Sequence, residues 1–182
     1  MSSTGKDFLE TAIRRLKYYK ELGDKTFEQL NDADLRFQPN ADSNSIAIIV
    51  QHMAGNMLSR WTNFLTEDGE KEWRQRDDEF EIHSYNKGQL IALWERGWDC
   101  FLSTLSSLRK KDLKKVVTIR QESLTVIDAI NRQLAHYPYH IGQIIYIGKI
   151  IKSGSWKNLS IPKGSSAQYN KSEQVKDPAK KF

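Results

Sequence analysis

The sequence predicts an all-α fold, a four-helix bundle, and three observations carry that prediction. Apolar residues recur at helical spacing in four separate stretches with polar connectors between them. Each stretch runs roughly 17 to 26 residues, or ~25–40 Å at ~1.5 Å per residue, which is the length of a bundle helix. One stretch, residues 113 to 122, breaks the pattern, and Val116, Val117, Thr118 and Ile119 there favour a short extended segment before the last helix. A chain of 182 residues suits one domain with a substantial core.

Residues 6 to 22 read as the first helix, with Phe8, Leu9, Ala12, Ile13, Leu16, Tyr19 and Leu22 on one face and Gly23 as its stop. A connector rich in Asp and Asn covers 24 to 42, with one short turn over Thr26 to Leu30 pinned by Phe27 and Leu30. Ser43 and Asn44 are suitable N-caps for a second helix that runs to about Thr66 and closes at Glu67-Asp68-Gly69. At about 100° per residue, Ile46, Ile49, Val50, Met53, Met57, Trp61 and Phe64 share one side of it. His52 lies on the flank of that stripe, with Asn56 on its own line.

Residues 67 to 86 are charge-dense and read as a surface connector, with Trp73 and Phe80 tacked onto the core. The third helix spans about 87 to 109 on a wide stripe that includes Leu90, Trp94, Trp98, Phe101 and Leu105. Ser123 or Thr125 caps the fourth, over 126 to 151, whose central stripe is Ile127, Ile130, Leu134, Tyr137, Ile141 and Ile145. Pro138 removes one backbone hydrogen bond there and predicts a kink. From Ser153 the composition turns to Gly, Ser, Lys, Asn and Pro, so the domain is placed at 1–170 and a flexible tail at 171–182.

Composition excludes several classes. Hydrophobic content of 38% and charged content of 28% describe a soluble globular chain. No apolar run approaches bilayer length, and the N-terminus shows no signal-peptide core. The single cysteine, Cys100, has no intrachain partner and sits in an apolar helical stretch, which favours a reducing, cytoplasmic setting. The net charge of +5 gathers at the C-terminus, and the aromatic residues fall on helical stripes, so nucleic-acid binding is not expected.

The informative pair is His136 and His140. Four residues apart on a helix, both imidazoles face one way and can hold one metal ion, and His52 on a matching flank is the candidate third ligand. Three neutral imidazoles leave open coordination positions, the catalytic rather than the structural pattern. Asn56, Gln133 and Gln143 lie one turn from these histidines and are candidates for orienting ligands or water. No Asp or Glu lies within one turn of the ligand face on either helix, which argues against a dedicated metal-dependent hydrolase. His83, in the charged connector, reads as solvated.

Four segments carry a family likeness: Asn44-Ser-Ile-Ala-Ile-Ile-Val-Gln-His52, Val117-Thr-Ile-Arg120, His136-Tyr-Pro-Tyr-His140-Ile-Gly-Gln143 and Ser160-Ile-Pro-Lys-Gly164. With them the chain resembles the DinB-like (YfiT-like) superfamily of four-helix proteins over roughly residues 7 to 170. The resemblance implies an up-down-down-up bundle, often a homodimer. It also implies a divalent metal, Zn or Ni, on His52, His136 and His140. Relatives of that kind include thiol-dependent S-transferases and a mycothiol-dependent isomerase. The expectation is a metal-dependent S-transferase that joins a low-molecular-weight thiol to an electrophilic substrate. A non-catalytic binding or stress-response bundle is the alternative, and a metal-dependent hydrolase the second.

Overall fold

The computed structural model describes residues 4–182; residues 1–3, part of the stretch read as lacking a signal-peptide core, lie outside the described residues. The helices are α1 (Thr4–Phe27), α2 (Asp32–Arg36), α3 (Ile46–Trp61), α4 (Lys87–Ser107), α5 (Val126–Lys152) and α6 (Ser166–Lys171). Two strands, β1 (Val116–Ile119) and β2 (Glu122–Thr125), lie between α4 and α5. The four long helices form the bundle, with α3 packed chiefly on α4 and α1 chiefly on α5. Leu16, Trp61, Trp94, Trp98, Phe101 and Tyr137 are enclosed at its centre. Large aromatics each bury on the order of 150–250 Å², so this cluster dominates the apolar driving force. No described helix is long and apolar enough to cross a membrane.

The sequence places the rods correctly and several of their ends wrongly. Gly23 does not stop α1, which continues to Phe27. A Cβ at Gly23 would stand 2.6 Å from Cζ2 of Trp94, so this glycine serves the close approach of α1 and α4. Thr26–Leu30 does turn, as the end of α1, with the Gln29 and Leu30 amides donating to the Thr26 and Phe27 carbonyls at 3.1 Å and Phe27 and Leu30 buried; a separate short helix follows at Asp32–Arg36, where Asn31 and Asp34 form a reciprocal capping box. The cap of α3 is Ser45, not Ser43 or Asn44; its hydroxyl accepts from the Ile48 amide at 3.3 Å. This helix ends at Trp61 rather than Thr66, and Asn63 turns the chain with φ 50°. Trp73 is 56% exposed and is not tacked onto the core.

The extended segment is one arm of a hairpin. β1 pairs antiparallel with β2, Val116 opposite Thr125 and Ile119 opposite Glu122. Arg120 and Gln121 make the turn with φ of 57° and 65°, the left-handed pair that a two-residue hairpin of this twist requires. Neither is glycine. Their amides donate to the Asp68 carboxylate at 2.9 and 2.8 Å, which offsets the strain. Thr125 caps α5, accepting from the Asp128 amide at 3.2 Å. That helix runs on through Pro138. Residues 171–182, expected as a flexible tail, carry contacts to α1: Arg15 donates to both Asp177 oxygens at 2.6 and 2.7 Å, and Ala179 is buried.

Candidate metal centre

α3 and α5 bring His52, His136 and His140 to one point. One ligand nitrogen from each lies within 4.8 Å of the others. The Nε2 atoms of His136 and His140 are 3.0 Å apart, so the helical spacing holds across Pro138. Two nitrogens on one ion, at ~2.1 Å each and angles of roughly 90–109°, stand about 3.0–3.4 Å from one another. The pair on α5 already has that separation, and His52, within 4.8 Å, completes a three-imidazole set of the kind that could hold a divalent metal.

The outer ring nitrogens of His52 and His140 are committed. His140 Nδ1 donates to Gln143 Oε1 at 2.8 Å, and Gln143 Nε2 donates to the Tyr139 hydroxyl at 3.0 Å. That chain leaves the lone pair of His140 on Nε2, facing the cluster. Burial pushes the His136 imidazolium down to about 3, with the nearby His140, His52, Arg60 and Arg132 adding to the effect. His140 is lowered too, first by burial. Both rings are therefore neutral near pH 7, as ligation requires.

His52 is held by a residue that sequence reasoning missed. A 3-10 turn over Asp78–Phe80 folds the charged connector back over α3. It presents Glu79 Oε2 to His52 Nδ1 at 3.1 Å and lays the Phe80 ring against the imidazole, centroids 4.9 Å apart. Glu79 is itself clamped by Arg74, whose Nε and Nη2 donate to its two oxygens at 2.7 and 2.9 Å. Burial alone would raise the Glu79 carboxyl; the hydrogen bonds from His52 and Arg74 outweigh it and hold the group below its ordinary range. Gly55 on α3 makes room: a Cβ there would collide with the Glu79 carboxylate. Eight acidic residues lie between 67 and 81, and no spacing singles out Glu79 among them.

The remaining candidates divide. Gln143 touches a ligand ring, as above. Asn56 does not; its Oδ1 accepts from the Tyr137 hydroxyl at 3.1 Å, and that hydroxyl accepts from Trp61 Nε1 at 3.2 Å. Gln133 is buried and lines a cleft of about 210 Å³ that opens beside His52 and His136. The same cleft is walled by Arg60, Arg74, Arg76, Arg120 and Arg132, a concentration of positive charge that helical stripes did not reveal. His83 bonds the Asp78 carbonyl at 3.0 Å, away from the cluster. Cys100 is half-buried, its sulfur 3.6 Å from the Thr62 hydroxyl.

Comparison with curated proteins and with solved structures found no match. One family matches over residues 3–165, which takes in all three histidines, the connector carrying Glu79 and the whole bundle. The chain therefore belongs to the family described as "Protein of unknown function (DUF1572)".

Proposed function

We propose that the protein is a divalent-metal-dependent enzyme of the DinB-like superfamily, and specifically a thiol-dependent S-transferase. The observation that carries this reading is the three-histidine cluster with two of its outer ring nitrogens already engaged, His52 by Glu79 and His140 by Gln143. Imidazoles fixed in this way are a recurrent support for metal ligation. His52, His136 and His140 would hold the ion. Zn and Ni suit an all-imidazole set, and three protein ligands leave room for a further one. When bound, such an ion supplies Lewis acidity, lowering the pKa of a thiol or water brought to it.

The residues around the cluster favour thiol transfer over hydrolysis. Among the described residues Glu79 is the one carboxylate on a ligand ring, and both its oxygens are taken by Arg74 and His52. A carboxylate held ionised in a clamp orients a ligand; it is poorly placed to shuttle protons from water. A thiol acidified at the ion needs no separate strong base. Phe80 lies against the His52 ring, and the buried Phe101 packs on Tyr137 behind the cluster.

A thiol co-substrate places the protein in a reducing compartment, in line with its single unpaired cysteine. The exposed Tyr139, Tyr146 and Ile150 on α5 support a homodimer, which sedimentation would read directly. Elemental analysis of gently purified protein tests the central reading. About one equivalent of metal per chain is expected, falling to background in His136→Ala. Turnover is then scored as thiol consumed with an electrophilic acceptor. Wild-type protein without metal, and unable to take it up, would sink the proposal.

A further inference from the structure

We propose that the cleft beside the three histidines is a subsite for an oxyanion, the carboxylate or phosphate of the molecule whose reacting end meets the metal centre. The inference deepens the functional reading above and rests on it only for the position of that reacting end.

The cleft gathers five guanidinium groups: Arg60 from α3, Arg74 and Arg76 from the connector, Arg120 from the hairpin turn and Arg132 from α5. Few carboxylates answer them. Glu79 clamps Arg74, and Glu70 lies 3.0 Å from Arg120 and 3.6 Å from Arg74. Arg76 has only the fully exposed Asp77 at 3.7 Å. Arg60 and Arg132 form no ion pair among the described residues.

Arg60 is the decisive member. It is 4% exposed, and its Nη1 is enclosed without any hydrogen-bond partner. A desolvated, unpaired cation is among the costlier arrangements a fold can keep. Its strain shows in its acidity: burial first, then Arg132 and Arg74, lower its pKa to about 10. That charge makes no hydrogen bond or ion pair among the described residues, whereas an oxyanion in the cleft would satisfy the stranded donor and relieve the mutual repulsion.

A second orphan points the same way. Gln133 is 1% exposed and lines the cleft, and its Oε1 also lacks a partner. It can accept from a ligand hydroxyl or ammonium, or turn its amide and donate to the anion. The volume of about 210 Å³ admits a carboxylate or phosphate with a few attached atoms. His52 and His136 line the same space, so a ligand anchored there has its other end at the metal centre.

The test uses the full chain after chelator treatment, so that it stands apart from metal binding. Inorganic phosphate and malonate are titrated at pH 7.5 by calorimetry and by thermal shift, with sodium chloride at matched ionic strength as reference. Saturable binding of at least one anion is expected, and the tighter of the two tells phosphate from carboxylate. Arg132→Gln, an exposed change that spares the core, should weaken it about tenfold or more. Arg60→Met should abolish binding while raising the melting temperature, because an uncompensated buried charge is gone. Metal uptake without any anion binding would overturn the subsite and leave the metal reading standing. Anion binding without metal uptake would support the subsite and remove the metal. Stabilisation equal to that in chloride, or unchanged in Arg132→Gln, would refute the inference even if Arg60→Met failed to fold.

Discussion

Replacing Glu79 with glutamine separates the two tasks the connector performs. The change is isosteric, so packing against Gly55 and Phe80 is kept. What is lost is a charge that accepts from Arg74 at 2.7 and 2.9 Å and meets His52 at 3.1 Å. The Arg74 side chain is 2% exposed, so it cannot turn to water. Breaking one side of a buried ion pair costs about 3–5 kcal/mol. Glu70, 3.6 Å from Arg74 Nη1, retains part of the compensation, which places the expected loss at the low end, about 3 kcal/mol. Urea unfolding of chelator-treated protein reads this directly. Separately, the one amide oxygen of glutamine cannot accept from both Arg74 and His52, so the hold on the His52 ring weakens and metal affinity should fall about 10–100-fold in a competition titration with a chromophoric chelator. The double variant Glu79→Gln/Arg74→Met decides between causes. Removing the stranded cation should restore most of the stability and less of the metal affinity. A single variant that loses less than about 1 kcal/mol and keeps its affinity would show that Glu79 neither pairs Arg74 nor positions His52.

Gly55→Ala should destabilise the protein and weaken metal binding, although Ala is about 1 kcal/mol the better helix former, because its methyl group displaces the Glu79 carboxylate. Gly142→Ala is the matched control: nothing lies within 4 Å of its added carbon, so it should stabilise by about 0.5–1 kcal/mol and leave metal affinity unchanged. Asp68→Asn should loosen the hairpin, which proteolysis between 115 and 126 would report. Burial raises the Asp68 carboxyl, but the amides of Glu70, Gln121 and Arg120 outweigh it and bring it down to about 2. A depressed carboxyl contributes stability that is complete above the unfolded value of about 3.9 and is lost as pH falls through the folded one. The gap between wild type and Asp68→Asn, about 1 kcal/mol for this partly exposed group, should therefore shrink between pH 5 and pH 2. A constant gap across that range would assign the effect to something other than the charge.

The parts of this fold that were legible from the sequence are those set by local periodicity. Apolar stripes fixed the four rods, and the same angular placement put His52 at the rim of α3 and His136 with His140 at the rim of α5. The failures share a cause: each depends on a partner distant in sequence. Gly23 looks like a stop until Trp94 lies across it. Residues 120 and 121 look like strand or linker until Asp68 supplies the acceptor that lets non-glycine residues hold a left-handed turn. Glu79 looks like any acid in a solvated run until the connector folds onto α3. Charge density in residues 67 to 86 reads as surface because most such runs are surface, yet Lys71, Arg74 and Glu79 are buried. A period of 3.6 residues carries no information about such pairings.

Where local rules break also says something about function. Sequences that fold well tend to agree with their structure at every level, and the exceptions concentrate where a protein does chemistry. Here the exceptions are not scattered. Pro138 sits inside α5, where an interior proline costs ~3 kcal/mol relative to alanine. Two turns of α3 hold Gly55 and the unpaired Arg60, and α5 sets the orphan amide of Gln133 beside His136. Across from them stand a buried ion pair, Arg74–Glu79, and a histidine pushed to about 3. Any one of these is tolerable in a stable bundle. Arg60, Arg74, Gln133 and His136 line one cleft, and Gly55 and Pro138 lie on the two helices that wall it, a grouping that favours the proposed site over an inert scaffold. Arg60 and Pro138 each carry a stability cost that the bundle by itself does not explain, and Gly55 is required by the room it gives Glu79. Costs of this kind favour the proposed oxyanion subsite over a purely structural role for the cleft.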